Sequence, residues 1–173
     1  MRTIASNFNF PTSKQIPSES IMDINGKQAY LGNQYALPVA GFSITGSSET
    51  PVVQIANPAS NGKSLFLSFC SISAISYLAQ FKFYLGPSSS AGTAITPVNR
   101  RPANGNTSNS VCVTGPTVVT KGTLFMSIEC PTADIVTMEN NLFLILDPGQ
   151  TLLVTGTCGG TTVVNMNIGF YEI

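Results

Sequence analysis

The sequence predicts an all-β protein: a single jelly-roll-like antiparallel β-sandwich of about eight strands behind an extended N-terminal arm. Three observations carry that expectation. From Pro51 onward, short apolar segments alternate with clusters of Gly, Pro, Asn and Ser, which is how strands and turns follow one another in a sandwich. No stretch of useful length has a helical period. No internal repeat of fixed period is present, which sets aside a propeller or solenoid. An immunoglobulin sandwich is disfavoured because the chain has no Trp to pack on an inter-sheet disulfide.

Residues 1–50 read as an arm with short strands. They carry Pro11, Pro17 and Pro38, and the spaced aromatics Phe8, Phe10, Tyr30 and Tyr35. Asn25-Gly26 lies between short apolar runs and signals a two-residue hairpin. An aromatic arm with few charges can lie on a neighbouring subunit, so those four aromatics are candidate partner contacts. The sandwich domain is expected over 51–173. Val52 to Asn57 is a short strand, and Pro58 to Ser64 a turn-rich loop. Leu65 to Ala74 is a long apolar strand. Ala79 to Leu85 alternates, with Ala79, Phe81, Phe83 and Leu85 on one face and Gln80, Lys82 and Tyr84 on the other.

Gly86 to Ser110 is loop-like, and within it only Thr93 to Thr96 suggests a short strand. A loop of that length inside a compact domain is usually functional or disordered. Asn99, Arg100 and Arg101 are its candidate contacts; for the Arg pair, a solvated loop charge is the more common role. Short strands follow on either side of Gly115-Pro116, and Gly122 to Cys130 alternates again. Asp134 to Met138 is a brief strand, and Asn141 to Leu146 a separate one that is apolar on both faces. Asp147-Pro148-Gly149-Gln150 is a turn, with Pro148 presetting the first position and Gly149 supplying the positive φ of a type II turn. Gln150 to Gly156 returns as a strand. Thr161 to Glu172 closes the pattern with Val164, Met166, Ile168 and Phe170 on one face.

Charge is scarce. Of 173 residues only 9% are charged, eight basic against eight acidic, where an ordinary soluble protein has roughly 25%. A surface so short of charge favours association. No basic tract is present, so nucleic-acid binding is not expected. No segment reaches about eighteen apolar residues, so no membrane span is expected either. The N-terminus has no continuous apolar run and is not read as a secretory signal.

Candidate chemistry is thin. There is no His, so the commonest general base and metal ligand is missing. Lys63-Ser64 formally offers a Ser-Lys pair, but in a turn-like loop. Gly62-Lys63-Ser64 matches only the end of a phosphate loop, lacks its first glycine and leads into a strand rather than a helix. Glu129, Asp134 and Glu139 cluster in sequence between two strands, without the ligand density of a calcium loop. Cys70, Cys112, Cys130 and Cys158 are too scattered for a structural zinc site; free buried thiols are the favoured reading. Cys158-Gly159-Gly160 has no local cation to activate a thiol and reads as a hairpin tip. No catalytic residue, metal or other cofactor is expected.

Some short features recur together: Asn57-Pro58, Gly62-Lys63 entering an apolar strand, Thr96-Pro97-Val98-Asn99 in the long loop, Pro148-Gly149 between apolar strands, and the terminal Asn167-Ile168-Gly169-Phe170-Tyr171-Glu172-Ile173. In these the region from Pro51 to Ile173 resembles small accessory virion proteins of tailed bacteriophages. The resemblance implies a β-sandwich that decorates or cements a capsid or forms a head fibre. It implies a homo-oligomer, a trimer, with other virion proteins such as the major capsid protein as partners, assembled in the host cytoplasm and located in the virion. It brings no catalytic residues. Two alternatives remain: a receptor- or glycan-binding tip of a phage fibre, using the Ser/Asn/Gly loop, and a jelly-roll main coat protein, which the absence of a basic arm disfavours.

Overall fold

The computed structural model describes residues 31–173 except 102 and 104, and the side chains of 139–143 are also outside it. Phe8, Phe10, Tyr30 and the Asn25-Gly26 hairpin therefore lie outside the described residues. The strands are β1 (Gln34–Thr45), β2 (Thr50–Ala56), β3 (Leu65–Ala74), β4 (Ala79–Leu85), β5 (Ser88–Ser90), β6 (Thr93–Ile95), β7 (Val98–Asn99), β8 (Val111–Thr114), β9 (Thr117–Thr120), β10 (Thr123–Cys130), β11 (Asp134–Leu146), β12 (Thr151–Cys158) and β13 (Thr161–Glu172). The all-β sandwich expected from the sequence is what these strands build.

One sheet, A, has the order β11-β3-β13-β1-β7; the other, B, has β10-β4-β12-β2-β8-β6. Every pair is antiparallel. Strands from the two ends of the chain interleave in both sheets. β13 lies between β1 and β3, and β12 between β2 and β4. The core forms where the inner faces meet. Leu37, Ile72 and Ile168 from sheet A and Phe81, Phe83, Ile55 and Val154 from sheet B are fully buried in one cluster. β13 follows the expected alternation: Val164, Met166, Ile168 and Phe170 are buried, while Asn165 and Asn167 are exposed.

The expected boundary at Pro51 is corrected. β1 pairs along its length with β13, from Gln34 opposite Tyr171 to Thr45 opposite Thr161, so the sandwich reaches back at least to Gln34. Pro38 made this stretch look like arm. It fits because β7 pairs β1 only at Tyr35 and Ala36, which leaves Pro38 on a free edge where its missing N–H breaks no ladder. Beyond it the pairing with β13 is irregular between Val39 and Phe42.

A second correction concerns β11, which is one strand rather than two. Its pairing with β3 jumps between Glu139 and Leu144, and that irregularity breaks the alternation that a sequence reading follows. The long loop also holds β5 and β7 besides the expected β6. β5 pairs with β9 apart from both sheets and lies against the outside of sheet B through a hydrogen bond from Ser89 Oγ to Gln54 Oε1. Gln54 and Tyr84 flank Leu153 in the register. Leu153 is fully buried although it does not belong to the core cluster, so this outer row has its own cover.

The turn at 147–150 forms as expected. Gln150 N donates to Asp147 O at 2.9 Å, and Gly149 has φ +90°. What anchors it was not expected. Asn57, only 1% exposed, donates through Nδ2 to Lys63 O and to Leu146 O, each at 2.8 Å. Its Oδ1 accepts from Asn61 Nδ2 at 2.7 Å. Its backbone carbonyl accepts from Gly149 N, and its backbone N donates to Gln150 O. One amide thus ties the β2–β3 loop to the β11–β12 turn. Asn57→Ala leaves two carbonyls without their donor, and is expected to cost about 2–4 kcal/mol in urea unfolding. A loss below about 0.5 kcal/mol, the level of an ordinary surface substitution, would contradict that role.

Candidate functional site

A polar cavity opens at one end of the sandwich, and the parity of two central strands places its floor. Along β13 Phe170 points inward, Tyr171 outward onto Phe66, where the rings stack at 5.1 Å, and Glu172 inward again. Along β1 Tyr35 points inward and stacks on Phe170 at 5.6 Å. Tyr35 and Glu172 therefore sit at the mouth between the sheets, each 2% exposed. Lys63 from the β2–β3 loop and Gly105, Asn106, Thr107 and Asn109 from the segment before β8 complete a cavity of about 340 Å³.

The segment before β8 is held down by Glu172 itself. Its Oε1 accepts from Ser108 Oγ at 2.5 Å and from Asn109 N at 3.1 Å. Ser108 Oγ also meets Ser110 Oγ at 2.6 Å. Neither Glu172 Oε2 nor the Tyr35 hydroxyl has a hydrogen-bond partner among the described residues. Burial pushes the Tyr35 phenol above its ordinary range, and the neighbouring Glu172 charge adds to that shift. A buried carboxylate oxygen and a buried phenol with nothing to bond are costly on their own.

Several sequence-predicted contacts fall near this mouth. Tyr35 is core rather than exposed partner surface, because β1 belongs to the sheet and Tyr35 has inward parity. Asn99 is committed to its own loop: Nδ2 donates to Gly32 O at 2.9 Å and Asn106 O at 2.8 Å, and Oδ1 accepts from Arg101 N at 2.7 Å. Arg100 is exposed, and its backbone N donates to Gln34 O. Arg101 is half-buried beside it. Glu172 was missed, but its signal was available: continuing the Val164-to-Phe170 alternation by one more step puts a carboxylate on the inner face.

A second polar cluster lies outside sheet B. Glu49, with its side chain 13% exposed, pairs with Lys82 Nζ and Lys121 Nζ, each at 2.9 Å. Tyr84 OH donates to it at 2.9 Å and Thr155 Oγ1 at 3.1 Å. Burial by itself would raise the Glu49 carboxyl, but these donors outweigh it and bring the pKa down from 4.5 to about 2. The arrangement fastens the β9–β10 connection, which contains Lys121, onto β4 and β12. Gly122 beside it has φ +80°, and a Cβ there would run into Leu85 O, so the backbone is pressed onto β4. Both carboxylate oxygens of Glu49 are matched by donors, so the cluster acts as a clasp.

The four cysteines are buried and unpaired with one another. Burial pushes the Cys70 thiol up to about 12 and the Cys112 thiol up to about 11, so neither is a nucleophile. Among the described residues no group of His, Cys, Asp and Glu could hold a metal. Glu129 and Asp134 are exposed, and the Glu139 side chain lies outside the description. No family model matches the chain, and no curated protein or solved structure matches it.

The Glu49 cluster has a defined pH signature. Its depressed pKa means that its stabilisation is complete above 4.5 and is lost as pH falls toward about 2. Thermal melts should therefore show wild type more stable than Glu49→Gln near neutral pH, with the gap closing in acid. A gap of equal size at both pH values would contradict the ion-pair account.

Proposed function

We propose that the chain is a non-enzymatic structural subunit of a virus particle, a capsid decoration or cement protein or a head-fibre subunit, that works by burying surface against its neighbours. The observation that carries this reading is the outer face of sheet A. Ser71 pairs with Asn167 and Thr137, and Ser73 with Asn165 and Ile135. Ser71, Ser73, Ile135, Asn165 and Asn167, with Pro38, line a shallow groove of about 310 Å³ that contains no charged side chain. Ile135 on it is 66% exposed. An uncharged groove beside an exposed apolar edge is what a subunit contact needs and what a free monomer normally avoids.

The strand order supports the finer fold reading. The four-strand orders β11-β3-β13-β1 and β10-β4-β12-β2 interleave the two ends of the chain as a jelly roll does, an architecture frequent in viral capsid and lectin domains. The resemblance in Asn57-Pro58, Pro148-Gly149 and the terminal strand adds to this reading. The expected partners are further copies of the chain, as a trimer, and other virion proteins such as the major capsid protein. A jelly-roll main coat protein shares the strand order, but the chain has no basic tract to meet a genome. The polar mouth at Glu172 favours a second reading, a receptor- or glycan-binding tip.

Size-exclusion chromatography with light scattering tests the assembly reading. The protein should run as an oligomer, and Asn167→Arg on the sheet A face should shift it toward monomer. Wild type that stays monomeric at high concentration would contradict it.

A further inference from the structure

We propose that the mouth between the sheets is a carbohydrate site that takes one sugar unit through its hydroxyl groups. The inference stands apart from the assembly reading and deepens the second one. Four features of the cavity argue for it.

Size is the first. About 340 Å³ lies at the lower end of the range for small-molecule sites, and the mouth of a β-structure is a usual place for one. Unmet hydrogen bonding is the second. Glu172 is 2% exposed and spends only Oε1 on Ser108 and Asn109. Oε2 needs a donor, and the Tyr35 hydroxyl needs a partner of either kind. A sugar hydroxyl can donate to the first while another accepts from or donates to the second.

Charge balance is the third feature, and it selects the ligand class. Glu172 and Lys63 both line the cavity. A free cation gains Glu172 but meets Lys63, and a free anion the reverse, so neither sign of charge is singled out. A neutral polyhydroxyl ligand satisfies both, accepting from the ammonium and donating to the carboxylate. Asn106 Nδ2 donates to Gly32 O and Asn109 Nδ2 to Asn61 Oδ1, which leaves the Oδ1 of each amide to accept from a ligand hydroxyl.

The fourth feature sets the mode of recognition. The Tyr35 ring is buried with one face stacked on Phe170, and no other ring lines the cavity. Binding therefore rests on hydrogen bonds rather than ring stacking, and the affinity of a single site is expected to be in the millimolar range. Glu172 acts here as a binding residue that also positions the loop, because the same carboxylate that bonds the sugar pins Ser108.

The test titrates glucose, galactose, mannose, N-acetylglucosamine and rhamnose separately into the full isotope-labelled chain, read by amide chemical shifts. At least one sugar should give saturable shifts confined to the amides of Gly105, Asn106, Thr107 and Asn109. Lys63→Ala and Asn106→Ala should each weaken it by about three- to tenfold, the size of one hydrogen bond. Glu172→Gln should abolish it; if that variant fails to fold, the other two carry the test. No saturable shift with any of the five sugars would overturn the proposal, as would shifts indifferent to Lys63→Ala and Asn106→Ala. Methylammonium or acetate titrating the same amides more tightly than every sugar would overturn it in favour of an ion site.

Discussion

The structure depends on where the last two strands go. β12 and β13 do not extend either sheet at its margin; each occupies an inner position, one in each sheet. β13 is paired on both sides, with β1 and β3, and β12 likewise with β2 and β4. Without these two strands each sheet loses its middle: β1 keeps only β7, β3 only β11, β2 only β8 and β4 only β10. The core reflects this. Leu152, Val154, Val164, Ile168 and Phe170 are all fully buried, so the two strands supply apolar surface to both layers as well as the backbone ladders. Pairing across such sequence distances closes large loops, which makes folding slow and strongly cooperative.

The same constraint builds the mouth. Because β13 runs beside β1, Glu172 and Tyr35 come to lie at one end of the sandwich, and Phe170 forms the apolar floor beneath them. Asn57 anchors the neighbouring loop at that end, through Lys63 O and Leu146 O. Part of the charge in the described residues is used locally: Glu49 takes up Lys82 and Lys121, and Glu172 is buried. The groove on the outer face of sheet A is lined by no charged side chain.

Strands with clean alternation were legible in the sequence. β3, β4 and β13 have the limits that Leu65–Ala74, Ala79–Leu85 and Thr161–Glu172 suggest, because one face of each is in the core. β1 was not legible, since Pro38 and Gly41 punctuate it as they would a loop; only the free edge beside it makes them tolerable. β11 was split because its register breaks after Glu139. β5 is a run of serines with no apolar face to betray it. The mouth was half legible: parity points Glu172 inward, and the loop containing Asn106 was singled out for its composition. The Glu49 cluster was not legible at all, because its members come from the β1–β2 connection, β4, the β9–β10 connection and β12, and only the strand order brings them together.

Amide hydrogen exchange tests the central role of β12 and β13 most directly. Amides of Val154, Met166 and Ile168 should exchange only through global unfolding, with opening free energies equal to the stability measured by denaturant, while the margins at β10 and β11 open more easily. Exchange of the β12 and β13 amides through a lower-energy opening than those of β10 and β11 would show that the two strands are peripheral, and would contradict the account.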